Sequence, residues 1–284
     1  MKKVIVTGAT GYLGKSLLPI LAQQADVIGI ARNVDTLNKQ CNAVSVDITQ
    51  KAALTDLFIT EKPDAVIHCA ACNPGGSSEN MFAINEQGGS HVADAAKHVN
   101  CRLVAVSSDT VLSGNNAPYR DNAAAEPLPD NAYAVSKARS EAIVLSTVPD
   151  AIVVRTSLIY GTEHMDRGTE GFAARLHSGE PLNLFADVIR QPVHDVALSH
   201  ALCELALNLV AEAGTINIAG DEAMSRYDFG KTMLDFWRVD YQNNLNKVSG
   251  NGIAGLPIDL RLTLDRARSL GIATPGVRSV LATA

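Results

Sequence analysis

The sequence predicts an α/β fold, a doubly wound parallel sheet with a smaller C-terminal lobe. Three observations predict it. Through the first 157 residues, short and nearly continuous apolar runs alternate with longer segments of helical periodicity. The first apolar run leads directly into a glycine-rich turn, Thr7-Gly8-Ala9-Thr10-Gly11-Tyr12-Leu13-Gly14. Beyond residue 157 the rhythm changes to a polar, Gly-containing stretch, "GTEHMDRGTEG" (161–171), expected as a loop. Strands apolar on both faces and separated by helices make a parallel sheet covered on both sides. Such crossovers are right-handed, which makes the doubly wound topology the default.

The elements follow in order. "KKVIVTG" (2–8), "DVIGIA" (26–31), "AVSVD" (43–47), "AVIHCAA" (65–71), "RLVAVSS" (102–108) and "AIVVRTS" (151–157) read as six buried strands. Helical periodicity covers 12–24, 51–60, 81–99 and 133–147. After the 161–171 loop come a helix-like segment, then "EPLNLFADVIRQPVH" and a helix over about 194–211. "GTINIAG" (214–220) reads as a strand returning to the sheet, and "MSRYDFGKTMLDFWRV" (224–239) as a helix. There is no internal repeat and no low-complexity linker. The expected division is a nucleotide-binding domain over 1–157, completed by about 194–220. Residues 158–193 and 221–284 then form a lobe folded onto the sheet.

With 284 residues, 46% of them hydrophobic, the chain can bury a large core. Lys and Arg number 24 against 30 Asp and Glu, a net charge of −6 without a basic block. A nucleic-acid or membrane-surface role therefore has no electrostatic support. No stretch approaches a transmembrane span, and the N-terminal apolar run is too short for a signal peptide. The five cysteines are odd in number and lack framework spacing, so a cytoplasmic location is expected. Cys69 and Cys72 form a CxxC without a second pair, and no metal is expected there.

The glycine turn carries the first chemical reading. Three glycines at this spacing, between a strand and an amphipathic helix, permit a tight turn and close approach of a pyrophosphate. The helix that starts there offers free N–H groups and its positive dipole end. The second strand ends in Ala31-Arg32-Asn33, where NAD-binding folds usually place an acidic residue for the ribose. With no carboxylate to repel a phosphate and an Arg to pair with one, NADP(H) is favoured over NAD(H). Asp47, after the third strand, is placed either to accept from the adenine amino group or to cap the next helix.

The second reading rests on Tyr133-Ala134-Val135-Ser136-Lys137. A spacing of four places the phenol and ammonium on one helix face, where the ammonium lowers the phenol's pKa. The fifth strand ends in Ser107-Ser108-Asp109-Thr110, at the carboxyl edge where open sheets bind ligands.

A strand–TGxxGxxG–helix start, a Ser ending strand five and a YxxxK helix together resemble the extended short-chain dehydrogenase/reductase superfamily. The blocks "PDAVIHCAA" (63–71), "VSSDTVLSGNNAPYRDNAAAEPLPDNAYAVSKARSE" (106–141), "VVRTSLIYG" (153–161) and "LPIDLRLTLDRARSLGI" (256–272) resemble, in order, the dTDP-4-dehydrorhamnose reductase-like group. The resemblance implies a Rossmann domain, an NAD(P)H-dependent reduction of a sugar or nucleotide-sugar carbonyl, and a C-terminal substrate-binding lobe. It gives Tyr133 the role of proton donor and Ser108 a hydrogen bond to the substrate oxygen. Lys137 would bind the nicotinamide ribose and depress the tyrosine pKa, and Asn85 would support a relay water. Cofactor contacts would come from Gly8, Thr10, Gly11, Tyr12, Leu13, Gly14, Arg32, Asp47, Ile48, Cys69, Ala70, Ala71, Tyr133 and Lys137. Substrate contacts would come from Ser108, Asp109, Thr110 and Arg190, the last either a phosphate ligand or half of a structural ion pair. The expected partner is a small molecule, with a homodimer compatible.

The departures from the group's pattern lie on the substrate side. Dehydratases of this superfamily carry an Asp-Glu pair where this chain has Asp109-Thr110, which disfavours dehydration. "CNPGGSSEN" (72–80) and Leu158 also replace the reductase group's usual residues. Two alternatives stay open: a sugar-nucleotide 4-epimerase with tightly held NAD, and a cofactor-binding regulator like the methionine adenosyltransferase regulatory subunit.

Overall fold

The computed structural model describes residues 1–37, 41–241 and 244–284. Its centre is a seven-stranded sheet of β1 (Lys2–Thr7), β2 (Ala25–Ala31), β3 (Asn42–Ser45), β4 (Ala65–His68), β5 (Arg102–Ser108), β6 (Ile152–Thr156) and β7 (Gly214–Asn217). The spatial order is β3-β2-β1-β4-β5-β6-β7, and every pairing is parallel. This is the doubly wound fold that the alternation predicts. The order reverses between β1 and β4, so their carboxyl ends open a crevice where such sheets bind ligands.

Side chains alternate across each strand; both faces of the central strands are apolar, whereas β3, expected as a buried strand, lies at the sheet edge and is largely exposed. Val4 and Val6 of β1 join Ile67, Val104 and Val154 in one core, under α1 (Tyr12–Leu21) and α6 (Asp195–Leu207). Ile5 points the other way and joins Ile28, Val66, Leu103 and Val153. That face is covered by α2 (Lys51–Glu61), α3 (Gly89–Val99) and α4 (Ala132–Thr147), through Phe58, Val92 and Val144 among others.

Two helical expectations change in detail. The 81–99 segment is not one α-helix: Ser78–Met81 is α-helical, Phe82–Gly88 is π-helical, and α3 follows. A π turn marks a place where side-chain contacts outweigh ideal helix geometry, and Asn85 in its middle is buried and hydrogen-bonded on both sides. The 161–171 stretch is a loop only as far as Asp166. That carboxylate accepts from Gly168 N and Thr169 N and so starts α5 (Arg167–His177).

The remaining C-terminal elements build three small sheets beside the crevice. Ile159–Tyr160 pairs with Val193–His194, and Leu182–Phe185 with Leu245–Val248. Ile189–Arg190 runs antiparallel to Met224–Ser225, which leads into α7 (Arg226–Phe236). Ser225 caps α7 by accepting from Asp228 N at 3.0 Å. Among the described residues, no helix is long and apolar enough to cross a membrane.

Candidate active site

The glycine turn is shaped by close packing. Gly8 has φ of +69°, and a Cβ there would lie 2.7 Å from the Ala70 backbone at the end of β4. A Cβ on Gly14 would lie 2.5 Å from the Gly8 carbonyl oxygen. Only glycine fits either position. Gly11 begins α1 with no side-chain cap, so the first N–H groups of this helix are left for a ligand.

This turn forms one wall of a cavity of about 750 Å³. Gly8, Thr10, Gly11, Tyr12, Leu13 and Gly14 line it, as do Arg32, Asp47 and Ile48 after β2 and β3. Cys69, Ala70 and Ala71 line it beyond β4, and Ser108, Thr110, Tyr133, Lys137 and Arg190 line its other side. Asn85 and Asp109 do not. Asp47 uses Oδ1 to accept from Thr49 N and Thr49 Oγ1, which also makes it a local turn-former.

The Tyr133/Lys137 pair meets Ser108 because α4 starts beside the end of β5. Asn131 caps α4 by accepting from Ala134 N at 3.0 Å, which fixes Tyr133 in the first turn. The Ser108 hydroxyl lies 2.9 Å from Thr110 Oγ1. Lys137 is 5% exposed, and its Nζ donates to Val106 O at 2.6 Å. The phenol does not behave as the spacing predicts. Burial pushes Tyr133 up to about 12, and its hydrogen bond with Ser108 offsets only part of that rise. Desolvation of the phenolate is the largest influence on this group, while the Lys137 ammonium donates to the Val106 carbonyl. Burial also brings Lys137 down to about 8, against the opposing pull of Glu141.

Asn85 faces away from the cavity. It accepts from Cys72 N at 2.7 Å and donates to Cys72 O at 3.0 Å and to Ser136 Oγ at 2.9 Å. Ser136 Oγ in turn donates to Tyr133 O at 2.8 Å. Asn85 therefore ties the cavity loop after β4 to the helix that carries Tyr133.

Asp109 is fully buried and holds Arg190 with both oxygens, so it does not reach a substrate. Arg190 lines the cavity as half of that ion pair. Behind α4, Arg155 forks onto Glu141, with Nη2 at 2.8 Å from Oε2, both side chains 5% exposed or less.

The sequence reading placed Leu158 on the substrate side, where it lines the cavity, but missed Arg167, Phe172, Arg226 and Phe229, which line it too. A signal existed for Arg226, which follows the Ser225 cap, but it announced a helix start and not a ligand. Cys69 and Cys72 are free thiols, and burial pushes Cys69 up to about 12. Among the described residues no group of three or more His, Cys, Asp and Glu is placed to hold a metal.

The family model described as RmlD substrate binding domain matches residues 1–256. A dTDP-4-dehydrorhamnose reductase of Aggregatibacter actinomycetemcomitans is 26% identical over 244 residues, covering 83% of this chain and 79% of that protein. Methionine adenosyltransferase 2 subunit beta of Bos taurus is 26% identical over 286 residues, covering 95% of this chain and 83% of its own. The fold superposes on the crystal structure of dTDP-4-dehydrorhamnose reductase from Bacillus anthracis in complex with NADP with a TM-score of 0.81. That match has 23% identity and covers 99% of this chain and 96% of that one. With the match running from the glycine turn through α4 into the lobe, the chain belongs to the RmlD substrate binding domain family, within the extended short-chain dehydrogenase/reductase superfamily.

Proposed function

We propose that this chain is a nicotinamide-dependent reductase of a carbonyl on a sugar or nucleotide sugar, using NADP(H) in preference to NAD(H). One observation carries the reading: Ser108, Tyr133 and Lys137 converge on the same cavity whose far wall is the glycine turn. The residues fit a dinucleotide. Gly8 and Gly14 leave no room for a Cβ, and the uncapped start of α1 lines the cavity. A nicotinamide bound there supplies the hydride.

The chain's own contribution is proton delivery and orientation. Tyr133, with its pKa raised to about 12, stays protonated across neutral pH and donates its phenolic proton to the carbonyl oxygen. Ser108 hydrogen-bonds that same oxygen, and Lys137 takes the ribose hydroxyls beside it. Arg32 stands exposed on the cavity rim and receives the 2′-phosphate. Residues 158–193 and 221–284 supply the substrate side. The name of the Aggregatibacter relative supports a nucleotide sugar as substrate. The complete Ser108/Tyr133/Lys137 set favours turnover over a purely regulatory role.

The deciding experiment is NADPH oxidation screened over keto sugars, free and nucleotide-linked. Turnover with at least one of them is expected, and an inert enzyme across the panel would overturn the reading.

A further inference from the structure

We infer that Arg226 is the anion anchor at the lobe end of the cavity, and that it takes a phosphate of a nucleotide-linked substrate. The nature of that ligand rests on the reductase reading, but the anion site itself does not. Arg190, the residue first expected in this role, already has its charge met. Its Nε donates to Asp109 Oδ2 at 2.8 Å and its Nη2 to Asp109 Oδ1.

Arg226 opens α7 on the same cavity wall, and its guanidinium has no hydrogen-bond or ion-pair partner among the described residues. Two carboxylates lie near enough to act on it, and both are occupied. Asp109 is closed on Arg190. Asp166 accepts from Gly168 N, Thr169 N and Thr169 Oγ1 at the start of α5. Burial and the neighbouring Arg190 bring Arg226 down to about 10, with Asp109 and Asp166 opposing, so its charged state is held at a cost.

Arg226 is half-buried; a partly desolvated guanidinium without a partner is costly, and its planar fork of donors is matched by phosphate oxygens. Arg167 stands exposed on the same wall and adds a second cation with solvent access. Phe172 and Phe229 line the cavity beside these arginines and offer flat apolar faces. Anionic oxygens next to aromatic surface suit a nucleoside diphosphate better than a lone carboxylate.

The test is calorimetric titration of dTDP, UDP and inorganic pyrophosphate into the whole protein. Saturating NADPH is present so that the dinucleotide site does not report. Wild type should bind at least one nucleoside diphosphate. Arg226→Gln should weaken it about 30-fold, and Arg226→Lys, which keeps the charge without the fork, by an intermediate factor. Both variants should keep wild-type affinity for NADPH, which reports a folded cavity. Pyrophosphate binding that depends on Arg226 would show that the anion, not the base, is what the residue reads. A Gln variant within about threefold of wild type would overturn the inference, as would a wild type that binds none of the three. Turnover of free keto sugars in that case would leave the reductase reading standing. An enzyme inert to every keto sugar but binding diphosphate through Arg226 would sink that reading and keep this one.

Discussion

Asp109 and Arg190, 81 residues apart, form a two-pronged ion pair: Nε donates to Oδ2 at 2.8 Å and Nη2 to Oδ1. Asp109 was expected to touch a substrate and Arg190 either to hold a phosphate or to form an ion pair; the structure pairs the two. Asp109 is fully buried and keeps neither oxygen for the cavity. The neighbouring Thr110 hydroxyl lies 2.9 Å from Ser108 Oγ and is no acid. No acid/base pair for elimination remains at this strand end, so a dTDP- or GDP-hexose should lose no water with this enzyme. Mass analysis that found a dehydrated keto sugar would contradict this.

Tyr133→Phe should lower turnover about 100-fold or more while leaving NADPH affinity unchanged. The phenol is the one proton donor aimed at the cavity from the first turn of α4, and Phe keeps the ring's packing. Steady-state rates on whichever keto sugar is turned over, with fluorescence titration of NADPH, separate the two effects. Turnover near wild type would remove Tyr133 from the mechanism.

Lys137 sets a pH dependence whose direction follows from its lowered pKa of about 8, against an ordinary 10.5. Below about 8 the ammonium is charged and can hold the ribose hydroxyls, and above it the amine is neutral. NADPH dissociation constants should therefore be flat from about pH 7 to 8 and rise above it. Lys137→Met should bind more weakly and lose the step. For stability the sign is the reverse. Between about 8 and 10.5 the unfolded chain binds the extra proton, so the burial penalty on the folded state fades as pH rises through that window. Urea unfolding of cofactor-free protein at pH 7 and 10, with Lys137→Met for comparison, reads that part.

Arg155→Met should destabilise the protein by about 3–5 kcal/mol, because it strands the Glu141 carboxylate in a site 5% exposed. Arg155 also donates to Ala123 O at 2.6 Å, and that bond would go with it. The double variant Arg155→Met, Glu141→Leu removes the stranded charge and should recover most of the loss. Denaturant midpoints of the three proteins check this. A double variant no better than the single one would mean that the Ala123 contact dominates.

Arg32→Ala should close most of the gap between NADPH and NADH. Wild type is expected to bind NADPH at least about tenfold tighter, from charge-assisted bonds to the 2′-phosphate. Equal wild-type affinities for the two cofactors would show that the guanidinium points to solvent.

The sheet, the glycine turn and the shared helix face of Tyr133 and Lys137 were legible in the sequence alone. These reside in spacing along the chain. Apolar runs of strand length, glycines at positions 8, 11 and 14, and a four-residue Tyr–Lys interval each carry their physical meaning locally, through backbone sterics and helix geometry. Only the tertiary structure decided which charges meet. Asp109 reads as a substrate ligand, and Arg190 as a phosphate ligand or an ion-pair partner, until folding brings the Arg190 guanidinium onto Asp109 at the end of β5. Asn85 reads only as a support for a relay water until folding sets its amide against Cys72 and Ser136. Burial, likewise, is a property of the packed lobe. It raises the Tyr133 phenol where the Tyr–Lys interval alone predicts a lowering, and the packing of the lobe sets Arg226 on the cavity wall without a side-chain partner among the described residues. Local pattern fixes where a side chain starts. Its charge state and its partner depend on what long-range docking brings against it, because desolvation and Coulomb terms act through space and not along the chain.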